Sequence, residues 1–334
     1  MTFKPGQTTR TLWIRCSLLL MTAFPVVFSA MSPPLSGQFN DDRRRTDLSP
    51  LSLPGGSVIE FKSFESKSLG MPARYSVFLP PSFSKSPART YPVIYFLHGL
   101  NNDETSWTVE RYGHIQNTLE QKMASGKIPE FIMVHPRGDN SFYCNFLDGS
   151  KRYEDLVTEE LVIHMESQYR AKKGRENRAI AGTSMGGYGA LKIAMKFPDR
   201  YAAVVGQSPI IFPGANPLEL SESAKSSRFY SFFAGMLKPL FDDPVRQDLW
   251  DANNPLVLAK NGKLGKLKIY FDYGTQDRYI PMIHHDEGIG MLDRILTDAG
   301  VSHIFKIHPG EPHGWALIAS HLDETLPFIC QTFK

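Results

Sequence analysis

Cysteine is scarce: of the three in 334 residues, Cys16 falls within the first thirty, which leaves Cys144 and Cys330. Two residues so far apart make no Cys/His ligand spacing, so no structural zinc site is indicated. They could form one disulfide at most, and sequence leaves open whether they meet. A surplus of either charge is also missing. Lys and Arg number 37 against 34 acidic residues, and Lys4, Arg10 and Arg15 account for the whole difference. Without a basic excess there is no electrostatic footprint for nucleic acid. Beyond residue 30 no apolar run is long enough to span a bilayer. No internal repeat is visible, and a composition of 42% apolar, 12% aromatic and 21% charged residues provides ample material for a core.

The first thirty residues differ from the rest. Lys4, Arg10 and Arg15 precede "CSLLLMTAFPVVFSA" with no acidic residue among them. That is a basic region, an apolar region and a small-residue end, the pattern of a secretion signal. Cleavage is expected after Ser29 or Ala30, with export to the periplasm or the medium. An uncleaved amino-terminal anchor is the alternative, although the run is short and Pro25 interrupts it. Residues 31–56 carry Pro, Ser, Gly and charge without periodicity, as in a flexible linker. The domain is then expected over 57–334.

From Ser57 onward β-rich runs alternate with helical patterns. Strands are predicted at Val58–Phe64, Arg74–Leu79, Val93–Leu97, Phe131–His135, Arg178–Ala181, Ala202–Val205, Leu267–Asp272 and His303–His308. Runs such as "VIYFL" and "FIMV" are apolar throughout, as strands buried on both faces must be. Helices are predicted near 107–124, 153–170, 185–197, 286–299 and 315–329. Strands interleaved with helices give an α/β fold with a mostly parallel eight-stranded sheet covered on both faces. A long insertion over 208–265 separates the sixth and seventh strands. Its apolar stretch 228–241, "RFYSFFAGMLKPLF", reads as a packed amphipathic helix or as a lid over a pocket.

The stretch "AGTSMGGYGAL" at 181–191 sets Ser184 between Gly182 and Gly186, after a predicted strand and before a predicted helix. This fits G-x-S-x-G, the nucleophile elbow, in which a sharp turn lifts a serine above the sheet and its neighbours must lack bulk. A serine hydroxyl needs a base to take its proton and a carboxylate to orient that base. In this architecture acid and histidine follow the serine, on loops after later strands. Asp277 lies in the loop after the seventh strand and His313 in the loop after the eighth. Asp272 is the competing acid, but it still belongs to the strand end. Two N–H donors are needed for the oxyanion: Met185 follows the nucleophile, and Leu100 lies in the loop "YFLHGLNNDETSW" after the third strand. His98 reads as a support for that turn. His284 and His285 are adjacent, point apart on a helix and make no metal site; His303 and His308 read as structural.

Together "YFLHGLNNDETSW", "AGTSMGGYGALKIAMKFPDRYAAVVGQSP", "DLWDANNPL", "DYGTQDRYIP" and "PGEPHGW" resemble the esterase D family of α/β hydrolases over about residues 57–330. That family includes S-formylglutathione hydrolases, feruloyl and acetyl-xylan esterases, and mycolyltransferases. The resemblance implies Ser184 as nucleophile, His313 as base and acid, Asp277 as its orienting carboxylate, and the Leu100 and Met185 backbones as oxyanion hole. It implies no metal and no organic cofactor. Trp107, Tyr188 and Trp315 flank these motifs as candidate pocket walls. The expected function is an exported serine esterase acting on a small-molecule or carbohydrate-linked ester through an acyl-enzyme. Acyl transfer to an alcohol, and non-catalytic glycan or lipid binding, are the alternatives. A signal segment sits poorly with the cytosolic S-formylglutathione branch, and nothing in the sequence fixes an oligomeric state.

Overall fold

Val93–Leu97 is buried at every position, and so is Ile132–Pro136, because each lies inside a sheet with apolar layers on both faces. The computed structural model describes residues 44–109, 115–212, 216, 217, 228–279 and 288–334. The expected signal segment, His114, His284 and His285 lie outside them. Nine strands form one sheet: β1 (Leu51–Ser52), β2 (Val58–Ser66), β3 (Met71–Leu79), β4 (Val93–Leu97), β5 (Ile132–Pro136), β6 (Arg178–Thr183), β7 (Ala203–Gln207), β8 (Lys268–Gly274) and β9 (His303–His308). Their spatial order is β1-β2-β3-β5-β4-β6-β7-β8-β9. Pairings from β5 across to β9 are parallel; the three that join β1, β2, β3 and β5 are antiparallel.

The ninth strand is β1, which lies within the stretch expected to be linker. It pairs with β2, and just beyond it the Gly55 and Ser57 N–H groups each donate to the Glu120 carboxylate at 2.8 Å. Backbone bonding of this kind leaves no period in the side chains, so composition alone read it as unstructured.

The helices are α1 (Ile115–Ala124), α2 (Leu161–Gln168), α3 (Met185–Lys196), α4 (Arg228–Phe241), α5 (Gln247–Asp251), α6 (Pro255–Asn261), α7 (Ile289–Asp298), α8 (Trp315–Ser320) and α9 (Leu322–Cys330). Short helical segments at Tyr153–Asp155 and Leu156–Glu160 lead into α2. Of the helix expected near 107–124, Ser106–Thr108 forms a 3-10 turn and Ile115–Ala124 forms α1, while 110–114 lie outside the described residues. The one expected over 315–329 breaks at His321 into α8 and α9.

Two cores lie on opposite faces of the sheet. One joins Val93, Tyr95, Ile180 and Val204 to α3, α4 and α7; the other joins Ile94, Phe96, Ala181 and Val205 to α1, α8 and α9. Cys144 is in the first core and Cys330 in the second; both are buried and free. The sheet between them rules out a bond. The inner face of α4 is committed to packing: Phe233, Leu237, Leu240 and Phe241 are buried, with the Phe241 ring edge-on to Trp250 at 5.2 Å.

Lys192 on α3 is fully buried, and its Nζ donates to Glu154 Oε2 at 2.8 Å and to the Tyr143 carbonyl. Lys196, one turn on, reaches the other Glu154 oxygen at 2.7 Å. A buried cation persists only when paired and hydrogen-bonded, so this network ties α3 to the 143–154 segment.

Candidate active site

Ser184 closes β6 and opens α3 with φ 57° and ψ −120°, a conformation that a side-chain-bearing residue adopts at a cost. Its N–H donates to Gln207 O at 3.0 Å, and its own carbonyl accepts the Tyr188 N–H at 3.0 Å. The flanking glycines are required by space. A Cβ on Gly182 would overlap the Gly186 carbonyl, and one on Gly186 would overlap the Leu97 carbonyl. Gly99 is also near, since a Cβ built on it would sit 3.2 Å from Ser184 Cβ. The His98-Gly99 turn and the elbow thus approach closely.

Strand register carries this edge to the other candidates. Thr183 pairs with Gln207, Gln207 with Asp272, and Gly274 with His308, so the residues that follow β6, β8 and β9 leave the sheet on one side. The loops after β8 and β9 are bonded to each other: Thr275 N–H to His308 O at 2.9 Å, Gln276 N–H to Glu311 O at 3.0 Å, and Gly310 N–H to Thr275 Oγ1 at 2.8 Å. On these paired loops His313 Nδ1 donates to Asp277 Oδ2 at 2.5 Å. The other Asp277 oxygen accepts the Tyr279 N–H at 2.9 Å, and the Tyr279 ring stands edge-on to His313 at 4.5 Å. His313 Nε2 is buried and has no hydrogen-bond partner among the described residues. With Nδ1 donating to the carboxylate, a neutral His313 ring carries its lone pair on Nε2.

The neighbouring acid is committed elsewhere. Asp272 is fully buried and its Oδ2 accepts from His308 Nε2 at 3.2 Å, while the His308 ring stacks on His321 at 3.6 Å. Burial raises the Asp272 carboxyl above the usual range, and its hydrogen bond to His308 opposes this. His303 bonds Val301 O at 2.7 Å and Asp293 Oδ1 at 2.9 Å, a structural role.

Met185 is the first residue of α3, where unpaired N–H groups and the helix dipole favour an anion. Leu100 follows the His98-Gly99 turn, which four hydrogen bonds support. His98 Nδ1 donates to Gly99 O at 2.8 Å, and His98 Nε2 accepts the Gly138 N–H at 2.9 Å. Asn101 and Asn140 exchange two bonds, at 2.8 and 2.9 Å. The supporting role of His98 is as the sequence indicated, whereas the asparagine pair gave no signal, because its members lie 39 residues apart.

The pocket candidates fare differently. Trp107 is fully buried, its indole N–H donates to Ser76 Oγ at 2.9 Å, and its ring stacks on His135 at 4.3 Å. Tyr188 is also fully buried, with its hydroxyl on Asn253 O at 2.7 Å. Neither faces an open pocket; both are core residues, whose apolar area outweighs their polar tips. Trp315 is nearly buried, stacks on Phe96 at 5.8 Å and donates to Asn102 Oδ1 at 3.0 Å. Among the described residues no three His, Cys, Asp or Glu side chains gather as a metal site, and no helix is long and apolar enough to cross a membrane.

Burial makes the site's support acid-sensitive. His98 is pushed down to about 4 and His135 well below its ordinary value, both chiefly by desolvation. The unfolded imidazole takes a proton near pH 6.5, whereas folded His98 stays neutral to about pH 4. The stability that neutral His98 contributes is therefore complete above pH 6.5 and is lost as pH falls toward 4, by about 3 kcal/mol. The thermal midpoint should drop steadily over that window, and a flat midpoint from pH 7 to 4 would refute this.

The sequence pattern of the family described as "Putative esterase" matches residues 66–290. The chain belongs to this esterase family. An endo-1,4-beta-xylanase/feruloyl esterase of Xylanibacter ruminicola is 31% identical over 149 residues, 43% of this chain and 20% of that protein. The match thus spans about a fifth of that relative's length. A solved ferulic acid esterase superposes with a TM-score of 0.65 at 26% identity, over 83% of this chain and 99% of the other. The S-formylglutathione hydrolase of Agrobacterium tumefaciens superposes at 0.66 and 20% identity, over 86% and 99%, which speaks for the fold. The α/β-hydrolase architecture and the class, carboxylic ester hydrolase, rest on these likenesses.

Proposed function

We propose that this esterase is exported and works through an acyl-enzyme, with Ser184 as nucleophile, His313 as general base and acid, and Asp277 as its orienting carboxylate. The observation that carries the reading is the 2.5 Å bond from His313 Nδ1 to Asp277, which leaves the buried Nε2 as the base. Ser184 in its strained elbow on the same edge of the sheet supports it. Ser184 Oγ attacks the ester carbonyl as His313 Nε2 takes its proton, and the Leu100 and Met185 N–H groups receive the oxyanion. Collapse expels the alcohol, which takes the proton from His313. Water, activated by the same imidazole, then attacks the acyl-enzyme and frees the acid and Ser184. No step calls for a metal or an organic cofactor.

The names of the two relatives at 26% and 31% identity make feruloylated sugars the first substrates to try. Turnover of these, of acetylated sugars and of aryl esters of increasing acyl length tests the reading through its dependence on Ser184. Repeating the series with added alcohol separates hydrolysis from acyl transfer, because transfer yields a new ester where hydrolysis yields acid. Export is supported by the basic and apolar pattern of the first thirty residues. Protein recovered from its host should begin near residue 30 or 31, and an intact Met1 on membranes would favour an anchor instead.

A further inference from the structure

The oxyanion donors and the general base must meet the same tetrahedral intermediate, yet they sit on loops far apart in sequence. Leu100 follows β4 and His313 follows β9. A side-chain hydrogen bond links the loops, from Trp315 Nε1 to Asn102 Oδ1 at 3.0 Å, joining residues 213 positions apart. Both ends are themselves held. The Asn102 N–H donates to Gly99 O at 3.2 Å, closing the turn that presents Leu100, and Asn102 Oδ1 lies 3.8 Å from the place a Gly99 Cβ would occupy. Trp315 starts α8 two residues after His313, and its ring stacks on Phe96 of β4 at 5.8 Å, so its indole edge has a fixed direction.

We propose that Asn102 is a positioning residue: through its bond from Trp315 it holds the oxyanion loop and the His313 loop at one separation during acylation and deacylation. The proposal rests on the catalytic reading above. Its physical content is that the oxyanion and the transferred proton lie on different atoms of one intermediate. If either loop drifts by about 1 Å, donor and base no longer serve it together, and such misplacement costs up to about 100-fold in rate. The misplacement is felt by the oxyanion and the transferred proton of the intermediate, so the loss falls on kcat more than on KM.

The experiment is a double-mutant cycle with Asn102→Ala, which removes the acceptor, and Trp315→Phe, which removes the donor and keeps an aromatic ring against Phe96. Ser184→Ala is the control, and each variant's thermal midpoint is measured alongside. Each single change should lower kcat by about 10- to 100-fold with KM within about threefold, and the double variant should be no slower than the slower single one. A single variant with near-normal kcat overturns the proposal, as do losses that multiply in the double variant or that follow the thermal midpoint. Should Trp315→Phe fold poorly, the kcat and KM of Asn102→Ala at normal stability decide alone. Turnover that survives Ser184→Ala overturns the catalytic reading and the proposal with it, whereas an inactive Ser184→Ala beside an additive cycle overturns the proposal only.

Discussion

Ser184→Ala should lower ester turnover by about 10⁴-fold or more across the substrate series, with the thermal midpoint near that of the parent chain. The side chain contributes little to packing, and the residue's structural work is done by its backbone: the bond from its N–H to Gln207 O and the bonds its carbonyl accepts from Tyr188 and Ile210. Alanine keeps all of these and, like serine, must hold φ 57°, so the elbow survives while the nucleophile is lost. A fluorophosphonate probe should label the parent chain at Ser184 and leave the variant untouched. Near-normal turnover in a folded Ser184→Ala protein would end the assignment.

Asp277→Asn should lower kcat by roughly 10²–10⁴ with a small change in KM. An asparagine amide at the Oδ2 position can donate to His313 Nδ1, which favours the tautomer with its proton on Nε2. That tautomer has no lone pair where the serine proton must go. Asp272→Asn is the informative comparison. Asp272 is fully buried and bonded to His308, so its replacement should shift the thermal midpoint and leave kcat within about fivefold. Measuring turnover and melting for both variants decides between the acids; the reverse pattern would transfer the role to Asp272.

Much of this site is local chemistry and so lies open in the sequence. A glycine at 182 and another at 186 are needed because Gly182, Gly186 and Leu97 bring their backbones into contact, a demand that strand, turn and helix impose wherever they join this tightly. The same holds for the strands, since a run such as "VIYFL" has no polar face to offer water and must lie inside a covered sheet. Asp277 and His313 stood out because each follows a strand in a loop, a relation visible along the chain.

What the fold alone decided is partnership across distance. Asp272 and Asp277 both have a histidine 36 residues on; the register of β8 against β9 and the bonds between their loops give His308 to the first and His313 to the second. Trp107 and Tyr188 flank the candidate motifs in sequence, yet the fold turns both inward, because adjacency along the chain does not say which way a side chain faces. Cys144 and Cys330 are kept apart by the sheet itself. The bond from Trp315 to Asn102 leaves no trace in composition or spacing, since it exists only where β4 and the segment after β9 come together. Residue type and order fix the chemistry available here, while the three-dimensional packing of the sheet's edge chooses which groups meet.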